Sequence, residues 1–281
     1  MKSLQEQITS YERDGYAIFR GYLARDVVEN LRAMQDPEFE RRHGEHPERH
    51  RATISNILGH ETLAPVLADY ILNPVLLDFA ESVMGPYVQL DSLGLFGYPS
   101  VGNEKTGKVD GWHRDAFHLT EQWSGYPRQP GPRPYTPPMA GNCLTYLQDM
   151  TVESGPLRVI PGSHLDYTFI AEDARHDPHP GEKLVDLRAG DMVFTHCDLL
   201  HSGTLNTSGA IRYFISAYFS RIGLPHRDTF ETPTIDRIVD DARRRNDRRV
   251  LRLFGIDEGF HLRQQAAWRM MTDDDRRELK E

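Results

Sequence analysis

Cysteine is scarce in this chain: Cys143 and Cys197 are the only two among 281 residues. Two thiols exclude a disulfide framework, and a chain of this length can build its core without one. No run of eighteen apolar residues occurs anywhere, so no segment qualifies as a membrane-spanning helix. The opening Met1-Lys2-Ser3-Leu4-Gln5-Glu6 has no apolar h-region, and a cytoplasmic location is the expectation. Positive charge is also in deficit, with 33 Lys and Arg against 42 Asp and Glu and a net charge of −9. That balance argues against a nucleic-acid or membrane partner, since both need a basic face that releases counterions. The one arginine-dense stretch, Arg243-Arg244-Arg245 with Arg248 and Arg249, is interleaved with acidic residues and reads as a solvated helix face. The oligomeric state is left open.

What is present describes an ordinary globular protein, 38% hydrophobic and 10% aromatic. The first third reads as helical around one short strand. Leu4 to Asp14 is amphipathic, Tyr16 to Phe19 is a compact apolar run, and Asp26 is placed to cap a helix over Val27 to Met34. The polar stretch from Asp36 to Arg51 reads as a loop or a mobile helix. A second helical pattern runs from Ala64 to Met84 and stops at Gly85-Pro86. From Tyr87 the texture changes to short β-like runs set apart by Gly, Pro, Asn and Asp, the pattern of a sandwich or barrel. Candidate strands are Val88 to Tyr98, Asn142 to Asp149, Leu157 to Ile160, Met192 to Thr195 and Arg212 to Phe219. Thr120 to Pro138, rich in Pro and Gly and carrying Trp123, Tyr126 and Tyr135, is expected to be a loop or lid over the barrel mouth. Helix resumes over Ile235 to Phe254 and Leu262 to Met271. The organisation expected is one domain over 1–281, with a core of about 8–221 and a C-terminal helical extension over 222–281.

The chemistry-bearing motif is Gly111-Trp112-His113-Arg114-Asp115. Residues two apart on an extended strand share a face, so His113 and Asp115 form a two-point chelate. A second histidine would complete the two-histidine, one-carboxylate face that suits iron(II) and leaves positions open. His201 is the best candidate for it, with His196 its rival, because the stretch after His201 leads to Arg212 at the opening of a strand. Arg212, Phe214, Ser216 and Tyr218 share one strand face. If that face looks inward, Arg212 is a buried cation that needs an anion, and a dicarboxylate cosubstrate supplies one through a two-point guanidinium contact.

On these residues the chain resembles the phytanoyl-CoA dioxygenase family of iron(II)/2-oxoglutarate oxygenases. The family's His-x-Asp, distal His and following Arg are met by His113, Asp115, His201 and Arg212. Asp14-Gly15-Tyr16-Ala17-Ile18-Phe19-Arg20-Gly21 is similar to its opening strand, and Glu153-Ser154-Gly155-Pro156-Leu157 through Pro161-Gly162-Ser163-His164 to its central signature. The resemblance spans about residues 8–221. It implies a mainly β fold, a double-stranded β-helix (jelly roll, cupin-like) with flanking N-terminal and C-terminal α-helices. It also implies His113, Asp115 and His201 as ligands of Fe(II), with Arg212, Gln89 and Thr145 holding 2-oxoglutarate. The implied reaction consumes O2 and 2-oxoglutarate, forms succinate and CO2, and hydroxylates or otherwise oxidises an unactivated C–H bond. A small metabolite or natural-product intermediate is the expected substrate, since no basic patch for a CoA nucleotide stands near the motifs.

Several residues carry a plainer reading beside the functional one. His118 is expected to make a structural hydrogen bond, His164 to stabilise a turn, and His43, His46 and His50 to lie in a solvated loop. Arg158 and Arg221 are the competing arginines for the cosubstrate. Trp112, Phe117, Trp123 and Tyr126 either line a substrate cavity or simply pack. Retention of Asp115 disfavours halogenation, because halogenases of this superfamily carry a small residue there. Two other classes stay open: a metal-dependent jelly-roll isomerase or dioxygenase that uses no keto acid, and a non-catalytic metal-binding barrel.

Overall fold

The computed structural model describes residues 3–46, 51–55, 57–60, 63–115, 132, 134–166, 170–222 and 232–257. The chain begins with α1 (Leu4–Asp14), whose start is set by a reciprocal cap. Ser3 Oγ accepts from Glu6 N, and the Glu6 carboxylate accepts from Ser3 N. Its end is set by Gly15, which takes φ +82° and returns its N–H to Tyr11 O. This cap turns the chain directly into β1 (Tyr16–Phe19).

Helix α2 (Arg25–Glu45) is longer than the sequence predicts. The polar stretch after Asp36 continues the helix to Glu45. Ala24, not Asp26, is the cap residue, and Asp26 sits inside the first turn. One apolar anchor explains the extension. Phe39 is fully buried, lies 5.2 Å from the Tyr213 ring, and covers the glycine at position 97, where a Cβ would sit 2.6 Å from its ring. Glu38 bridges Arg41 and Arg42 on the outer face, and the two guanidiniums hold its carboxyl down to about 2. After β2 (Ala52–Ser55), the expected helix over 64–84 splits into α3 (Ala64–Ile71) and α4 (Pro74–Met84). Asn73 caps the second by accepting from Val75 N, and Pro74 brings no N–H to continue the first.

Strands β3 (Val88–Tyr98), β4 (Ala140–Tyr146), β5 (Leu157–Val159), β6 (Lys183–Leu184), β7 (Met192–His196), β8 (His201–Gly203) and β9 (Arg212–Arg221) complete the β framework. Two antiparallel sheets form, one of six strands in the order β1-β7-β4-β9-β3-β2 and one of three in the order β6-β5-β8. This is a double-stranded β-helix whose sheets stay separate, with no closed barrel among the described residues. Helices α5 (Pro233–Arg245) and α6 (Arg248–Leu253) follow; the break between them is Asn246 at φ 54°, after which Asp247 caps α6. No helix among the described residues is long and apolar enough to cross a membrane.

The large sheet is covered on both faces, which is why β4, β7 and β9 are buried almost throughout and show little polar alternation. One face presents Cys143, Tyr213, Ile215, Ala217 and Phe219 to a core completed by Leu31, Leu67 and Phe79 of the N-terminal helices and by Ile235, Val239 and Leu253 of the C-terminal ones. The other presents Leu144, Tyr146 and Phe214 toward Leu157, Val159 and Leu199 near the small sheet. The functional cavity opens on this second face.

Candidate functional site

His113 and His201 are joined by an isolated antiparallel bridge in which each backbone N–H donates to the other's carbonyl at 3.0 Å. The two rings are brought to a centroid distance of 4.4 Å. In each, Nδ1 lies within hydrogen-bond distance of the carbonyl two residues earlier, Gly111 O at 2.8 Å and Leu199 O at 2.9 Å. A carbonyl only accepts, so each Nδ1 carries the proton and each Nε2 presents a lone pair. Asp115 completes the group: its carboxylate is 3.9 Å from His113 Nε2 and 3.7 Å from His201 Nε2. Asp115 Oδ2 is buried with no hydrogen-bond partner. An orphaned carboxylate oxygen facing two imidazole lone pairs fits a divalent cation. The ligand atoms of the three residues lie within 4.8 Å of one another. His201 at such close range, with burial adding to it, lowers the pKa of His113 below the ordinary histidine value, which favours the neutral, coordinating form of that ring.

A cavity of about 320 Å³ contains this group and extends along the inner face of β3, β4 and β9. Phe96 and Tyr98 line it from β3, Asn142, Leu144 and Tyr146 from β4, and Arg212, Phe214, Ser216 and Tyr218 from β9. The face expected for β9 is therefore the one that looks inward. Arg212 is buried, at 4% exposure. Its Nη1 donates to Gly155 O and to Thr204 O (2.7 Å), its guanidinium stacks 4.5 Å over Tyr98, and its Nε has no partner. Carbonyls and a ring orient this cation without neutralising it, and no carboxylate ion-pairs with it among the described residues. The cavity thus offers a dicarboxylate a buried cation at one point and three residues able to hold a metal ion at another.

Gln89 and Thr145 are not among the residues lining this cavity. Thr145 sits between Leu144 and Tyr146, so the pleat turns it to the opposite face, where it hydrogen-bonds Tyr70 OH at 2.9 Å. Gln89 pairs with Ser220 at the far end of β9 and donates to its hydroxyl at 3.1 Å; the residue opposite Arg212 in the register is Tyr98. The rival arginines are otherwise engaged. Arg158 meets Thr204 Oγ1, Gly107 O and the Glu182 carboxylate, and Arg221 donates to Pro137 O. His196 heads a second candidate group with Cys197 and Asp198. Its Nδ1 already accepts from Asp198 N, and burial pushes the Cys197 thiol up to about 12, leaving no thiolate.

Trp112 donates to Asp177 O and packs with Val109, Ile160 and Leu200, away from the cavity. His164 meets Glu12 O at 3.0 Å. His43 lies on α2, in a helix where a loop was expected, and His46 is its C-cap residue. His50, Phe117, His118, Trp123, Tyr126, most of the expected lid and the helix expected over 262–271 lie outside the described residues. Sequence reading missed Tyr98, Asn142, Tyr146 and Asp110 as cavity residues. The strand register against Arg212 would have pointed to the first, since it pairs directly with that arginine.

A jelly roll with two imidazoles and one carboxylate on one side of a cavity, and an unneutralised arginine on the same cavity, defines the class: an iron(II)/2-oxoglutarate-dependent oxygenase, using Fe(II), 2-oxoglutarate and O2. Comparison with known proteins agrees. The family model Phytanoyl-CoA dioxygenase (PhyH) matches residues 11–214, and the chain belongs to that family. It is 25% identical over 234 residues to the ectoine dioxygenase of Bordetella parapertussis, covering 72% of this chain and 70% of that protein. It is 31% identical over 137 residues to the dioxygenase cnsJ of Penicillium expansum, covering 47% of this chain and 36% of that one. In fold it is similar to HygX from Streptomyces hygroscopicus, solved with nickel and 2-oxoglutarate bound. There the TM-score is 0.60 at 16% identity, covering 83% of this chain and 92% of HygX. It is also similar to the epimerase SnoN, solved with Fe3+, alpha ketoglutarate and nogalamycin RO. Here the TM-score is 0.55 at 23% identity, covering 78% of this chain and 83% of SnoN.

Proposed function

We propose that His113, Asp115 and His201 hold the iron through Nε2, a carboxylate oxygen and Nε2, and that Arg212 binds the far carboxylate of 2-oxoglutarate. The observation that carries this reading is Arg212 itself, a buried cation with no counter-ion among the described residues, on the same cavity as the triad. When bound, the iron supplies oxygen activation: 2-oxoglutarate is oxidatively decarboxylated to succinate and CO2, one oxygen atom enters succinate and the other the substrate. The chain's own residues orient the reactants. Gly111 O and Leu199 O hold the two rings in the ligating tautomer, Thr204 O and Gly155 O aim Arg212, and Tyr98 stacks beneath it. Leu144, Tyr146, Leu157 and Phe214 keep water from the space between.

The substrate in this reading is a small metabolite or natural-product intermediate, in keeping with a cavity of about 320 Å³ that holds aromatic and neutral polar side chains beside the triad, Arg212, Arg51 and Asp110. Hydroxylation of an unactivated C–H bond is the outcome we assign, and the Asp115 carboxylate supports oxygen transfer over halogenation. The acidic charge supports an enzyme without nucleic-acid or membrane partners. The C-terminal helices share the main core with the β framework, which supports a single domain.

The test is anaerobic addition of Fe(II) and 2-oxoglutarate, read as a visible metal-to-ligand charge-transfer band, followed by succinate release in air. Folded protein that shows neither would refute the reading. Retention of both in His113→Ala would refute the ligand assignment.

A further inference from the structure

The β-bridge that joins His113 to His201 ends at His113. Beyond it, Asp115 makes no backbone hydrogen bond to a described residue, yet its carboxylate stands opposite both imidazoles. Something other than the ladder must hold it there. Residue 114 is placed to do so. His113 and Asp115 turn their side chains into the cavity, and extended chain sends the residue between them the other way. Arg114 accordingly leaves the cavity wall and enters the protein, half-buried.

Its Nη1 donates to two backbone carbonyls, Ser163 O at 3.0 Å and Asp198 O. Both belong to segments that fix His201. Asp198 opens the loop into β8, and Ser163 Oγ accepts from Leu200 N at 2.8 Å, while Ile160 N donates to Leu200 O at 2.9 Å. One guanidinium therefore ties the His-x-Asp segment, the Pro161-Gly162-Ser163-His164 turn and the approach to His201 into one unit. The rigid planar guanidinium fixes the direction of the two N–H bonds of this one nitrogen, which a freely rotating ammonium would not.

We propose that Arg114 is a positioning residue for Asp115: it sets where the carboxylate stands relative to the two imidazoles and thereby the affinity of the site for a divalent metal. The proposal rests on the triad reading above. Groups that orient metal ligands commonly change metal affinity or activity by about 10- to 100-fold when removed.

The test uses Co(II) alone, titrated into metal-free full-length protein and followed by its visible d–d absorption, with thermal unfolding of the same samples. Arg114→Ala is expected to weaken Co(II) binding by about 10- to 100-fold. In an Asp115→Ala background the same substitution is expected to change Co(II) affinity by less than about twofold, because the group it acts through is gone. Arg114→Gln is uncharged and two atoms shorter, so it does not reach the two carbonyls and is expected to lose about tenfold; the proposal stands or falls on it should the alanine variant not fold. Wild-type affinity in folded Arg114 variants overturns the proposal and leaves the triad reading intact. An equal loss in both backgrounds also overturns it, since Arg114 would then support the fold in general. Failure of wild-type protein to bind Co(II) at all overturns both readings together.

Discussion

Replacing Gly155 with alanine tests the seating of Arg212 without touching the arginine. Gly155 has φ +80°, and a Cβ added there would lie 2.5 Å from Arg212 Nη1, 3.1 Å from Asn206 N, and closer still to Thr204 O. A left-handed conformation costs a non-glycine residue about 1–2 kcal/mol. Thr204 O is backbone, so moving the Arg212 side chain cannot relieve that contact, and the chain at residue 155 or the chain leaving β8 must shift with it. Displacement breaks the contacts of Arg212 to Gly155 O and Thr204 O, which aim it into the cavity. Charged hydrogen bonds contribute about 1.5–3 kcal/mol, so 2-oxoglutarate affinity is expected to fall by about 10- to 100-fold. Co(II) affinity is expected to hold, since the bridge between His113 and His201 does not involve this loop. The assay is anaerobic charge-transfer titration with 2-oxoglutarate, with Co(II) binding measured in parallel and Arg212→Lys as a variant free of backbone strain. A folded Gly155→Ala protein that binds 2-oxoglutarate within twofold of wild type would refute this account of how the arginine is held.

His201→Ala is expected to abolish Co(II) binding while His196→Ala retains it; the reverse pattern would transfer the site to the second cluster. Thr145→Val removes the bond to Tyr70 OH and should cost about 1 kcal/mol in denaturant unfolding with no change in KM for 2-oxoglutarate, and a raised KM would return Thr145 to the site. Phe39→Ala should destabilise the protein by about 3–5 kcal/mol, read from the denaturation midpoint, because the ring bridges α2 and β3; a cost under about 1 kcal/mol would mean the helix is held otherwise. The depressed pKa of His113 has a pH signature in metal-free protein. The unfolded chain binds this proton first, so the contribution is fully present above the ordinary histidine value near 6.5. It is lost as pH falls through the lower folded value. The stability difference between wild type and His113→Gln should therefore shrink on acidification through that window, and a flat or opposite trend would count against the pairing with His201.

The sequence alone named the residues that the fold brings together at the cavity. The His113–Asp115 pair, the interval from His201 to Arg212 and the Gly155 to His164 signature are local patterns, and local patterns survive without coordinates. Strand β3 and the inward face of β9 were legible for the same reason, since pleat parity is a property of consecutive residues. The extent of α2 was not, because its second half depends on Phe39 reaching Tyr213 and residue 97, far along the chain. Thr145 and Gln89 show the limit more sharply. Moving one position along a strand exchanges its faces, and moving eight positions reaches the other end of the sheet, so a cosubstrate contact cannot be chosen until each strand's register against Arg212 is known. The same holds for Arg114. In sequence it is the residue between two candidate ligands; only the folded chain brings Ser163 and Asp198 to it, because hydrogen bonds across 49 and 84 residues are decided by tertiary packing.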